Sequence, residues 1–175
     1  MTDRVRILLV DDHPFVREGV RARLQATAHL DVVAEAADTD EALALAASLQ
    51  PDVVVTDIRM PKGNGIQLAA QFREQFPLVR VLVLSMHEDP EYVRRAVALG
   101  ARGYVLKSAP AQDLIDAIGA VYQGRIYFSA DIAQTLESTP APERSSRLLT
   151  PREVSVLQWV AQGRSNKEIE IGRAH

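Results

Sequence analysis

Residues 52–57 read Asp-Val-Val-Val-Thr-Asp, a β-branched apolar run that ends on a carboxylate and is followed by Met60-Pro61. Valine at this density favours the pleated backbone and leaves no polar side for water. The run therefore predicts a strand buried on both faces, as in a parallel sheet between two helical layers. Pro61 cannot continue a ladder and turns the chain into a loop. Asp57 is thus placed at the carboxyl end of a central strand, where ligands of open α/β sheets collect. A carboxylate held there needs cationic or hydrogen-bonding partners to offset its desolvation.

The same unit repeats on either side of this strand. Apolar runs of strand length occur at 5–10, 31–34, 79–84 and 103–106. Between them lie helical stripes: Val16, Val20 and Leu24; Ala42, Leu45, Ala46 and Leu49; Leu68, Ala69, Phe72 and Phe76; Val93, Ala96 and Val97; Leu114, Ile118, Val121 and Tyr122. Spacings of three and four put each set on one face of a helix. Pro14, Pro90 and Pro110 suit first turns, Asp38-Thr39-Asp40 offers N-caps, and Gly63-Asn64-Gly65 marks a turn. Five strands alternating with five helices over about 125 residues predict a flavodoxin-like, doubly wound five-stranded parallel sheet.

The pattern changes beyond Gly124. Residues 126–147 read as a linker with one short helix over 129–136, because Glu137 to Ser146 is polar with two prolines. A new all-α segment spans 148–175. Thr150 caps it, Pro151 takes the first helical position and Glu153 completes a capping box. Val156, Leu157 and Val160 form its stripe, which one marginal helix cannot bury alone, so cover from residues 1–125 or from a second copy is expected. Ser165 caps a further helix.

Composition removes several function classes. There are no cysteines, so disulfides, thiolate metal sites and thiol nucleophiles are excluded. A net charge of -3 confines any nucleic-acid binding to a local patch. No apolar stretch has the length of a membrane span and the N-terminus lacks a signal-peptide pattern, so a cytoplasmic protein is expected.

Polar groups stand at four of the five strand ends: Asp11 and Asp12, Asp57, Ser85, and Lys107. Carboxyl ends of parallel strands share one edge, so these side chains converge despite their separation in the chain. Clustered carboxylates repel one another and favour a hard divalent cation with oxygen ligands, for which Mg²⁺ fits better than zinc. The first loop is acidic instead of Gly-rich, which argues against a flavin- or nucleotide-phosphate cradle. A carboxylate that accepts a phosphoryl group remains, with Asp57 attacking, Lys107 as fixed positive charge and Ser85 offering a hydroxyl. Tyr104, in the fifth strand, reads either as a core aromatic or as a rotating switch. Met86, after Ser85, is placed to cover the phosphoryl group, with Arg59 and His87 at the rim.

Residues 1–125, with Asp11-Asp12, Asp57, Ser85, Tyr104 and Lys107 in order, resemble the receiver domain of two-component response regulators. The resemblance implies phosphorylation of Asp57 by a histidine kinase, with Ser85 and Tyr104 as switch residues. It also implies Mg²⁺ bound by Asp12, by Asp57, by Asp11 through water and by the backbone carbonyl of Arg59. The segment LTPREVSVLQWVAQGRSNKEI, residues 149–169, resembles the start of a LuxR-type helix-turn-helix, and together the two match the NarL/FixJ family. That family controls transcription and implies a homodimer when phosphorylated. The pattern departs at Glu170, where a small apolar residue and then a recognition helix are expected. A helix-turn-helix reads the major groove with that helix, so promoter recognition is expected of a longer form and not of this truncated chain. A receiver acting as a phosphotransfer or protein-interaction module is the alternative. A dehalogenase-type phosphatase is disfavoured because Arg59 stands where its general acid belongs; no enzymatic activity beyond self-phosphorylation and slow self-dephosphorylation is expected.

Overall fold

The computed structural model describes residues 4–138. The linker over 139–147 and the helix-turn-helix segment with its Val156, Leu157 and Val160 stripe lie outside the described residues.

Six parallel strands form one sheet in the order β2-β1-β3-β4-β5-β6. They are β1 Val5–Val10, β2 Leu30–Ala36, β3 Val53–Thr56, β4 Arg80–Ser85, β5 Gly103–Leu106 and β6 Tyr127–Phe128. Helices follow them as α1 Pro14–Gln25, α2 Thr39–Leu49, α3 Gly65–Gln75, α4 Pro90–Ala98, α5 Ala111–Tyr122 and α6 Ala130–Ser138. Local chemistry marks the starts. Asp38 accepts from Glu41 N at 2.9 Å and Asn64 from Gln67 N at 2.8 Å, each satisfying an amide that the first helical turn leaves unpaired.

Side chains alternate across the sheet and build a core on each face. Leu8, Val10, Val54, Val81, Val83 and Tyr104 pack beneath Ala46, Phe72, Ala96 and Ile132 of α2, α3, α4 and α6. Ile7, Leu9, Val53, Val55, Leu82 and Val105 pack on the other face, beneath Leu24, Leu114 and Ile118 of α1 and α5. Val53–Thr56 is buried at every position, as its composition predicts.

The expected five strands are six. Gly103 pairs with Tyr127 and Tyr104 with Phe128, so the region read as linker closes the sheet edge. The strand is only two residues long, too short to show a period of its own. The helix after it forms close to where the pattern placed it, but it is part of the core: Ile132 is fully buried and Leu136 nearly so.

β1 has β2 on one side and β3 on the other. The connections that leave these strands diverge, and the crevice between the β1 and β3 ends is the topological switch point where such sheets hold ligands.

Candidate functional site

The sheet ladder continues to the site itself. Asp57 N donates to Val10 O at 3.0 Å, Asp11 N to Ala36 O at 3.0 Å, and Lys107 N to Ser85 O at 2.8 Å. The backbone from which each functional side chain departs is therefore held by the last rung of a strand, a rigid mounting.

The loop after β3 is clamped just as firmly. Ile58 N donates to Asp57 Oδ1 at 2.7 Å and Thr56 Oγ1 to the Asp57 carbonyl at 2.9 Å. Gly65 N donates to Ile58 O at 2.8 Å, so α3 begins directly against the Asp57 backbone. A Cβ on Gly65 would meet the Asp57 carbonyl oxygen at 2.0 Å, a distance no side chain tolerates. The glycine at this turn is demanded by close approach, not by an unusual φ.

Lys107 bridges the two strand-end carboxylates. Its Nζ donates to Asp11 Oδ2 at 2.9 Å and to Asp57 Oδ2 at 3.0 Å, with all three side chains largely buried. Burial pushes the Asp11 carboxyl up, but hydrogen bonds from Lys107 and His13 outweigh it and hold the group below the usual 3.8. Burial pushes the Lys107 amine down, and its bonds to Asp11 and Asp57 overcome that and raise it. With Asp12, three formal negative charges face one positive charge.

Asp12 Oδ1 is buried and accepts no hydrogen bond. His13 Nδ1 lies 3.1 Å from it but off the bonding direction, being aimed at Asp11 Oδ1 at 2.9 Å. A buried carboxylate oxygen without a donor is costly, and a divalent cation satisfies it. Asp11, Asp12, His13 and Asp57 each offer a ligand atom within 4.8 Å of the others. The residues fit a divalent cation in number, in charge and in oxygen donors. Proximity to Asp11 and Asp12 raises the His13 imidazole, its bond to Asp11 contributing most.

Ser85 and Tyr104 meet through a third residue. Fully buried Ser85 accepts from His87 N at 3.0 Å, and fully buried Tyr104 donates its hydroxyl to His87 O at 2.6 Å. Burial pushes the Tyr104 phenol up to about 12. Arg59 is exposed, with its guanidinium 3.5 Å from the Tyr92 hydroxyl. Met86 is 70% exposed and lines a groove between α1 and α5 with Val16, Val20, Lys107 and Pro110.

The structure thus brings Asp11, Asp12, Asp57 and Lys107 together, and joins Ser85 to Tyr104 one step away. His13 was missed from sequence, although its place directly after two acidic residues at a strand end was a signal. The tight role of Gly65 leaves no trace beyond a turn pattern.

Comparison with known proteins agrees with this geometry. Residues 7–119 match the response regulator receiver domain, and residues 147–170 match the bacterial regulatory proteins of the luxR family. The chain is 40% identical to the transcriptional regulatory protein MctR of Rhizobium johnstonii, over 97% of this chain and 79% of that protein. It is 34% identical to the transcriptional regulatory protein DegU of Brevibacillus brevis, over 95% of this chain and 79% of that protein. Among solved structures, a LuxR-family two-component response regulator from Aurantimonas superposes with a TM-score of 0.74 at 41% identity, covering 76% of this chain and 95% of that one. An RcsB response regulator bound to DNA superposes with a TM-score of 0.74 at 28% identity, covering 93% of this chain and 79% of that one.

Proposed function

The chain belongs to the two-component response regulators with a receiver domain and a LuxR-type helix-turn-helix region, and from that premise we propose that Asp57 is its phosphoacceptor. The observation that carries the reading is the Lys107 ammonium held between Asp11 and Asp57 at 2.9 and 3.0 Å. The phosphoryl donor is a phosphohistidine of a partner kinase. An Asp57 carboxylate oxygen attacks phosphorus, the O–P bond forms as the P–N bond breaks, and the histidine nitrogen leaves with the bonding pair.

The residues divide the work. Lys107 holds Asp57 in place and keeps a fixed positive charge beside the transferring oxygens. Asp12, Asp57 and the Arg59 backbone carbonyl, with Asp11 through water, would hold Mg²⁺, and the ion would supply positive charge to the transferring oxygens. Ser85 turns its hydroxyl from His87 N to a phosphoryl oxygen, and Tyr104 follows through His87. The signal then passes to the LuxR-type region, in a homodimer formed on phosphorylation, and reaches promoter DNA where the recognition helix is present. The match over residues 147–170 favours this over a receiver working as an interaction module alone. No helix among the described residues is long and apolar enough to cross a membrane, in keeping with work in the cytoplasm. Beyond taking up and slowly losing its own phosphoryl group, the chain has no enzymatic turnover.

Intact-mass measurement tests the assignment. Treatment with a small phosphodonor and Mg²⁺ adds one phosphoryl group to the wild-type chain and none to Asp57→Asn. A stoichiometric adduct that persists in Asp57→Asn overturns it.

A further inference from the structure

We propose that Arg17 is a positioning residue for this site: anchored on Glu35 of β2, it fixes the Asp11–Asp12 peptide, and phosphoryl uptake by Asp57 depends on that fixing. The inference rests on the reading of Asp57 as the phosphoacceptor.

The first observation is how the Asp11 backbone is held. Asp11 lies one residue past the end of β1. Its N–H still belongs to the ladder and donates to Ala36 O at 3.0 Å. Its carbonyl is met by a side chain instead, because Arg17 Nη1 reaches over from α1 and donates to it. A peptide unit is planar, so fixing this oxygen fixes the direction in which Asp12 leaves. His13 N takes Asp11 Oδ1 and Lys107 takes Oδ2, each at 2.9 Å. Arg17 thus completes a set that grips Asp11 by both main-chain atoms and both carboxylate oxygens.

The second observation is Glu35. It stands in register with Leu9, on the face of the sheet that α1 covers. Alternation gives that place to a core side chain, and a carboxylate there is costly without partners. Arg17 Nε donates to Glu35 Oε1 at 3.2 Å, and Arg21 Nη1 lies 3.3 Å from Oε2. The Arg17 side chain is only 18% exposed and that of Glu35 27%, so the pair is shielded from most screening. One guanidinium therefore spans two strands, with acceptors on β2 and at the end of β1.

Chemistry says what this arrangement supplies. The Arg17 charge is already matched by Glu35, so its contribution to the site is geometry. A rigid fork holds two acceptors at once, which a lysine ammonium on a flexible stem does not. An inward charge on an edge strand such as β2 also discourages pairing with another chain. Lysine at position 17 would keep that second role and lose the first.

The test compares Arg17→Lys, Glu35→Ala and Glu35→Gln with wild type on the full chain. Intact-mass time courses with a small phosphodonor and Mg²⁺ give the rate of uptake. Amide exchange in metal-free buffer reads the His13 N–H. Arg17→Lys and Glu35→Ala should both slow uptake on the order of tenfold, the usual effect of losing a group that orients a site residue. Both should also speed exchange at His13 while the β3 amides keep their protection. Glu35→Gln, whose side-chain oxygen still accepts from Arg17, should match wild type in both measurements. Leu24→Val trims the buried core contact of α1 without touching the pair, and should lower the unfolding midpoint alone. Wild-type uptake and exchange in either Arg17→Lys or Glu35→Ala overturns the positioning role. Equal slowing in Glu35→Gln, or in Leu24→Val, overturns it too, by assigning the effect to charge or to stability. Uptake by Asp57→Asn at the wild-type rate is a separate failure: it overturns the phosphoacceptor reading, and this inference with it.

Discussion

The Tyr104 hydroxyl donates to the backbone carbonyl of His87 at 2.6 Å, while the amide of His87 donates to Ser85 Oγ at 3.0 Å. One peptide segment between β4 and α4 is thereby tied both to a buried ring in β5 and to the hydroxyl beside the acidic cluster. A change at Ser85 cannot leave His87 untouched, and a shift of His87 reaches Tyr104.

Tyr104→Phe keeps the ring in the core and removes one donor. The net loss for such a bond is about 1 kcal/mol, readable in urea unfolding. Amide exchange at His87 should accelerate while uptake of phosphoryl by Asp57 continues. Unchanged exchange across residues 86–89 in this variant contradicts the coupling.

Lys107→Met removes the charge between two buried carboxylates and leaves them facing each other. Losing one preorganised charge of this kind costs on the order of 100-fold in rate, so phosphorylation by a small donor should slow by that order. The acid limb of stability moves as well. Asp11 is held below its usual 3.8, so its contribution is complete above that value and is lost as pH falls through the lowered one. Without Lys107 the lowering of Asp11 weakens against its burial, so that acid-side loss should shrink or reverse in metal-free buffer. Equal rates and superimposable acid titrations in the two proteins refute the role given to Lys107.

Gly65→Ala tests the clamp on Asp57. The added carbon lands 2.0 Å from the Asp57 carbonyl oxygen, a backbone atom that cannot move without carrying the side chain along. The variant should lose about 1–3 kcal/mol and phosphorylate poorly even when folded. Wild-type behaviour in both measurements would show that the loop relaxes freely.

Much of this was legible in the residues, because strand ends in a parallel sheet carry their chemistry at predictable places. Val53–Thr56 is buried throughout as its valines require, and Asp11, Asp57 and Lys107 meet as their strand-end positions require. Two things, the last strand and a glycine contact, were not legible. The Tyr127–Phe128 strand has too few residues to show a period and is created by its pairing with Gly103 and Tyr104. The steric role of Gly65 depends on a distance between segments, which no local pattern encodes.

Alkaline conditions should unfold the protein through two tyrosines. Burial pushes both Tyr104 and Tyr127 up to about 12, from an ordinary 10.0. The unfolded chain releases these protons first, so the folded state binds more protons between those values. Stability is full below pH 10.0 and falls as pH rises toward about 12. The double variant Tyr104→Phe/Tyr127→Phe should flatten that slope in denaturant titrations from pH 9 upward. A slope equal to the wild type's assigns the alkaline loss to other groups.

Ending the chain after Arg125 should abolish the fold, although the five-strand pattern is complete by then. Ile126, Tyr127, Phe128, Ile132 and Leu136 are each no more than 6% exposed, and they cover the β5 edge and the α4 side of the core. At about 1.5–3 kcal/mol for each buried side chain, the loss is on the order of 10 kcal/mol as an upper figure. Total domain stability is of the same size, about 5–15 kcal/mol. The truncated chain should show no cooperative thermal transition in conditions where a chain ending at residue 138 melts sharply. A sharp transition within a few degrees of the longer chain's would mean that β6 and α6 rest on a sheet already able to stand without them.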